Sequence, residues 1–153
     1  RKLEINGKYQ EQLSRSFYMG LSKYRQTQDN PVTFFGLRLS NGDAKVLLQK
    51  TANGNLYPLP EYRDLVSHSI GFEWGYGGSG PAQLAFALLY NVTEDQKLSF
   101  KYYQRYKFNF VAQQSMDEGW RTTDTEITNW LEGEIADDNN SKKNPRETAP
   151  QRK

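Results

Sequence analysis

Residues 72–80 place four glycines among aromatics, Phe72-Glu73-Trp74-Gly75-Tyr76-Gly77-Gly78-Ser79-Gly80, and run directly into Pro81. An unbroken apolar segment, Leu84 to Leu89, follows. Glycines at this density punctuate regular structure, and proline suits the first position of a helix because its missing N–H has no partner there. The segment therefore predicts a loop that delivers a helix, with Pro81 as its first residue and Ser79 or Gly80 at or near the N-cap. Ala82 to Leu89 is apolar on almost every side apart from Gln83, which makes it a central helix covered by the rest of the chain.

The segments around it divide into strands before and helices after. Residues 17–25 partly alternate and contain β-formers. Residues 32–39 and 44–50 flank the turn Ser40-Asn41-Gly42-Asp43, and Asn-Gly between apolar runs is a strong hairpin signal. A second Asn-Gly, Asn53-Gly54, leads to Leu56-Tyr57-Pro58-Leu59-Pro60, where two prolines bar a central strand. Beyond the apolar helix, Asn91-Val92 marks a break. Thr93 with Gln96 forms a capping box for a helix over roughly 94–114, with Leu98, Tyr102 and Tyr106 on one stripe. Thr123 with Glu126 forms another, for a short helix that turns Ile127, Trp130 and Leu131 inward and stops at Gly133. The expectation is an α+β fold: an antiparallel β-meander packed against about three C-terminal helices. Residues 1–16 read as a polar arm, 17–136 as a single domain, and 137–153 as a flexible polar tail.

Composition narrows the chemistry. The 153 residues include no cysteine and one histidine, His68. Thiolate metal sites, Cys nucleophiles and His-rich zinc sites are thereby excluded, and no acidic run has calcium-loop spacing, so neither metal nor cofactor is expected. The absence of cysteine fits a reducing, cytoplasmic setting. The formal charge of +2 is near balance and lends no bulk support to nucleic-acid binding. No stretch reaches the roughly 18 apolar residues of a membrane helix, and no membrane partner is expected.

The glycine-rich loop is the first candidate site. A helix N-terminus offers unpaired N–H groups and partial positive charge, and glycines let a ligand approach the backbone. A small anion or a protein partner would then contact Glu73, Trp74, Tyr76, Gly77, Gly78, Ser79, Gly80 and Gln83, with His68 nearby. The alternative for the glycines is packing alone, a tight path past Trp74 and Tyr76. The loop is no phosphate loop, because Pro81 stands where Gly-Lys-Ser/Thr would be needed. Glu73, between Phe72 and Trp74, is either a carboxylate whose charge apolar surroundings disfavour or a member of a salt bridge. A hydrolase would need Ser79, His68 and Glu73 together, but the nucleophile-elbow pattern lacks its second glycine. Residues 101–108 interleave bases with aromatics. Lys97, Lys101, Arg105 and Lys107, with tail residues Lys142, Lys143, Arg146, Arg152 and Lys153, could bind a nucleic acid; a solvated helix face explains the same letters.

The run from His68 through Gly71-Phe72-Glu73-Trp74-Gly75-Tyr76-Gly77-Gly78-Ser79-Gly80-Pro81-Ala82-Gln83-Leu84 to Ala85 resembles the signature of a small bacterial family of unknown function, also met on phage and other mobile DNA. The likeness resumes at Tyr103-Gln104, Lys107 and Val111-Ala112, and closes at Trp120, Glu126-Ile127 and Trp130-Leu131. It spans roughly 17–132, and Ile70 departs from it where a proline would stand. The resemblance implies one compact domain and assigns no activity. The expected role is that of a small binding or interaction module.

Overall fold

The hairpin expected around Asn41-Gly42 lies at the centre of the sheet in the computed structural model, which describes residues 31–143. The expected arm over 1–16, the strand over 17–25 and the tail beyond Lys143 lie outside the described residues. Strands β1 (Thr33–Arg38) and β2 (Ala44–Gln49) pair antiparallel, with Phe34 opposite Leu48 and Gly36 opposite Val46. The turn closes by hydrogen bonds from Gly42 N to Leu39 O and from Leu39 N to Asp43 O, each 2.9 Å. Gly42 sits at φ +91°, a conformation that a side chain would strain. Strand β3 (Leu56–Pro58) pairs with the outer side of β2. It is an edge strand, the one place where Pro58 costs no ladder bond.

A fourth strand was not foreseen. β4 (Trp120–Thr123) returns from the far end of the chain to pair with β1, giving the order β3-β2-β1-β4. Its register sets Trp120 opposite Gly36. Any side chain at position 36 would collide with the Trp120 indole, so the glycine admits the tryptophan. Asp124 extends this seam: its backbone N–H donates to Val32 O at 3.0 Å, and its carboxylate accepts from Val32 N at 2.9 Å.

Among the described residues three helices cover one face of the sheet, giving the α+β layout: α1 (Ser79–Thr93), α2 (Gln96–Asn109) and α3 (Asp124–Lys143), with a 3-10 turn at Val111–Gln113. Leu84 through Leu89 are completely buried, so α1 is the central helix its composition demands. Phe34, Val46 and Leu48 from the sheet join it in one core with Trp74, Tyr102, Tyr106, Trp120, Ile127 and Leu131.

The helix ends differ from expectation. The N-cap of α1 is Gly78, so Pro81 is the third helical residue, and α1 continues through Asn91 and Val92 to a left-handed Glu94 at φ 53°. The cap of α2 is Asp95, whose carboxylate accepts from Leu98 N at 3.0 Å. Thr93 is drawn away instead, its hydroxyl donating to Leu89 O at 2.9 Å. The second capping site holds, since Thr123 Oγ1 accepts from Glu126 N at 3.1 Å. Helix α3, however, does not stop at Gly133 and takes in 137–143, the first residues of the expected tail. A glycine inside a helix costs about 1 kcal/mol, too little to end one whose later turns are anchored by tertiary contacts. Those contacts come from α2: Arg105 reaches Glu134 at 3.1 Å and Asp138 at 2.9 Å, and Tyr102 OH donates to Asp138 at 2.9 Å.

Gln83 is the polar exception in the core and is fully buried. Its Nε2 donates to Glu61 O and Val66 O, both at 2.7 Å, and its Oε1 accepts from His68 N at 2.7 Å. One amide thus pins the 61–69 segment to the central helix. Gln83→Leu would keep the volume and strip these partners, and is expected to cost about 2 kcal/mol in urea unfolding. A loss under about 0.5 kcal/mol would show that the segment needs no such pin.

The clamp on α3 carries a pH signature. Burial pushes the Asp138 carboxyl up, but hydrogen bonds from Arg105 and Tyr102 outweigh it and hold the group below its ordinary value. A carboxyl lowered on folding stabilises the fold above its unfolded pKa, near 4, and that contribution is lost as pH falls through the folded value. The urea midpoint is therefore expected to drop below about pH 4 more steeply in the wild type than in Asp138→Asn. Equal slopes would remove Asp138 from the acid response.

Candidate functional site

Trp74 organises the loop. Its side chain is completely buried, and its indole N–H lies 3.1 Å from Ser115 O and 3.0 Å from Glu118 O. Its ring meets Trp120 edge to face at 5.8 Å, and Trp120 meets Phe110 the same way at 5.7 Å. The next residue, Gly75, turns at φ +91° and donates to Val111 O at 3.1 Å. Here the backbone passes so close to the chain at 114–116 that a Cβ would stand 2.9 Å from Met116 N.

Arg38, the last residue of β1, lays its guanidinium 4.3 Å from the centre of the Trp74 ring. Glu73 grips it bidentately, Nη1 to Oε1 at 3.0 Å and Nη2 to Oε2 at 2.8 Å, and Nη1 also donates to Gly42 O at 3.0 Å. The Glu73 hydrogen bonds raise the Arg38 pKa; burial opposes the shift, and the charges of Glu73 and Asp117 and the nearby Tyr76 reinforce it. Around this pair opens a cleft of about 570 Å³ lined by Arg38, Gly42, Glu73, Tyr76, Met116 and Asp117. Glu73 thus takes the salt-bridge role.

The sequence-predicted residues divide by position. Tyr76, Gly77 and Ser79 lie at the surface, while Trp74, Gly80 and Gln83 are buried. Gly80 packs on the stem of Glu73, where a Cβ would stand 2.8 Å from Glu73 Cβ. His68 stacks on Tyr103, its Nε2 2.9 Å from the Tyr103 hydroxyl. Among the described residues no hydrogen bond joins Ser79, His68 and Glu73 to one another. Arg38, Met116 and Asp117 were missed, because nothing in the spacing of a strand end and a distant loop marks them as neighbours of 73–78.

Residues 34–133, well over half of the chain, match a family described as a family of unknown function (DUF6166). The chain belongs to this family. No curated protein and no solved structure matches it. Every residue lining the cleft falls inside the span matched to DUF6166, whereas the last turns of α3 fall outside it.

The other candidates from the DUF6166 sequence are also placed. On α2, Arg105 is paired with Glu134 and Asp138, and Lys107 is buried with its ammonium 4.3 Å from the Phe108 ring centre. Lys97 and Lys101 are exposed. Among the described residues no cluster of acidic and histidine side chains could hold a metal ion, and no helix is long and apolar enough to cross a membrane.

Removing half of the central ion pair should register as stability. Glu73→Gln keeps the shape and discards the charge, and about 1–2 kcal/mol of loss is expected in urea unfolding. An unchanged midpoint would mean that the Trp74 face alone holds Arg38.

Proposed function

We propose that this domain is a binding module that docks a partner polypeptide on the surface of the glycine-rich loop. One observation carries the reading: three large side chains stand exposed around three loop glycines. Tyr76 is 42% exposed, Phe108 56% and Met116 52%. The ring of Tyr76 lies over Gly78, Phe108 approaches Gly77, where a Cβ would stand 3.2 Å from the ring, and Met116 closes on Gly75. Single exposed apolar residues are ordinary, but a gathered set beside a cleft is the usual mark of an interaction surface. Aromatic and methionine side chains supply much of the contact energy in such surfaces.

The charges of the cleft select the partner. Arg38 is neutralised by Glu73, and Asp117 remains as a surplus carboxylate. The stem of Glu73 packs against Gly80 in the first turn of α1, which narrows the room that helix end has for an anion. Pro81 has no N–H to add. The geometry therefore favours a segment that joins an apolar residue to a Lys or Arg over a small anionic ligand.

Selection of a random-peptide library on the immobilised full chain is expected to enrich an apolar residue next to Lys or Arg. Calorimetric affinity for the selected peptide should fall at least about tenfold, which is about 1.4 kcal/mol, in Phe108→Ser and in Asp117→Asn. Enrichment of acidic peptides, or affinity indifferent to both substitutions, would overturn the assignment. So would thermal stabilisation of the wild type by nucleotides or phosphosugars that Asp117→Asn strengthens.

A further inference from the structure

The two outer strands of the sheet differ in what their free edges offer. Asp124 N donates to Val32 O one step beyond the Thr33–Thr123 pair, so Trp120, Thr122 and Asp124 turn their backbone groups toward β1. Arg121 and Thr123, lying between them, turn theirs away. On the opposite edge Leu59 N donates to Val46 O, so Pro58 faces outward and withholds a donor there. Proline is a common means of closing an edge to further pairing. β4 contains none. Its Thr123 caps α3, and the carbonyl of a cap residue accepts the first bond of its helix. The groups left open are the N–H and C=O of Arg121 and the N–H of Thr123. Among the described residues none of the three has a partner.

This edge begins at the cleft. Asp117, which lines the cleft, stands four residues before Arg121, and four residues of extended chain span at most about 14 Å. The charges along that stretch are ordered. Asp117 and Glu118 are exposed at its head, and Arg121 is exposed on the strand, opposite Phe35. Trp120 and Thr122 are buried, which leaves Arg121 on the face turned away from the helices. Three open backbone groups cannot hold a strand by themselves, since each hydrogen bond nets only about 1 kcal/mol. Joined to the apolar contacts at Tyr76, Phe108 and Met116, they supply a direction and a register for the bound chain.

We propose that the partner segment is extended and adds to the free edge of β4 as an antiparallel strand. It exchanges backbone hydrogen bonds with Arg121 and accepts one from Thr123 N. Its Lys or Arg lies at Asp117 and Glu118, and a carboxylate lies opposite Arg121, because opposite charges facing each other across a strand pair stabilise it. Antiparallel pairing is the more stable arrangement, and it sets the acidic residue three or four positions before the basic one in the partner. The assignment rests on the docking reading of the glycine-rich loop and gives the form the partner takes there.

The test uses the full chain and the peptide most enriched in the random-library selection. Each peptide amide is N-methylated in turn, which removes one donor and leaves the side chains unchanged. Affinity is expected to fall at least about tenfold at the residue facing Arg121 and to survive at its two neighbours. On the protein side, Arg121→Pro removes an outward N–H and no ladder bond to β1. It should bind the peptide at least about tenfold more weakly than Arg121→Val, which loses the same charge and keeps the donor. Should Arg121→Pro fail to fold, the N-methyl scan decides alone. Binding with a uniform scan, or with equal affinities in the two folded variants, would overturn strand addition and leave the docking reading standing. A selection that enriches no peptide would overturn both. A dimer of the free chain that Arg121→Pro dissolves and Arg121→Val retains would give the edge to a second copy and overturn the proposal as well.

Discussion

A buried tryptophan with a charge on its face holds the site together. Trp74 is out of water, its N–H is satisfied by backbone carbonyls 41 and 44 residues away, and its ring is covered by the Arg38 guanidinium. A guanidinium is comfortable there because it is weakly hydrated and planar, and because Glu73 accepts both ends of its fork. Through this stack the end of β1, the glycine-rich loop, the 115–118 loop and the start of β4 become one unit. Without it, β4 would have to find β1 across more than eighty residues with its short ladder, the Asp124–Val32 bonds and the seat of Trp120 over Gly36 to fix it.

The glycines of the loop serve that packing first. Gly75 passes against the 114–116 backbone, and Gly80 lies on the stem of Glu73, so two of them are spent on close approach. Gly77 and Gly78 lie nearer the surface, against the rings of Phe108 and Tyr76. The loop therefore has an inner half that closes the core and an outer half that presents apolar side chains. Packing and presentation, which look like rival explanations in the sequence, belong to different residues of one segment.

Much of the architecture was legible because it rests on local rules. Asn41-Gly42 fixed a hairpin through a backbone conformation that glycine reaches freely, and Pro58 and Pro60 excluded an inner strand through a missing donor. The apolar run from Leu84 to Leu89 announced a covered helix. Elements whose stability comes from distant partners were hidden. β4 is four residues with no hairpin of its own, and it exists because Gly36 leaves room for Trp120. Helix α3 passes Gly133 because Arg105 and Tyr102, on another helix, hold Asp138. The cap of α2 moved from Thr93 to Asp95 because α1 continues through Thr93 and the chain turns only at the left-handed Glu94.

The candidate site divides along the same line. The sequence alone determined that the glycine-rich segment beginning at Phe72 forms a loop at the head of a buried helix, since glycine, proline and an apolar run dictate backbone behaviour wherever they occur. Tertiary structure alone decided that Arg38 would neutralise Glu73, that Asp117 and Met116 would face Tyr76, that Gln83 would be consumed by the 61–69 backbone, and that Arg105 and Lys107 would be drawn out of the basic face of α2. Charge pairing and surface chemistry depend on which side chains meet in space. Those meetings span tens of residues and leave no periodicity in the chain.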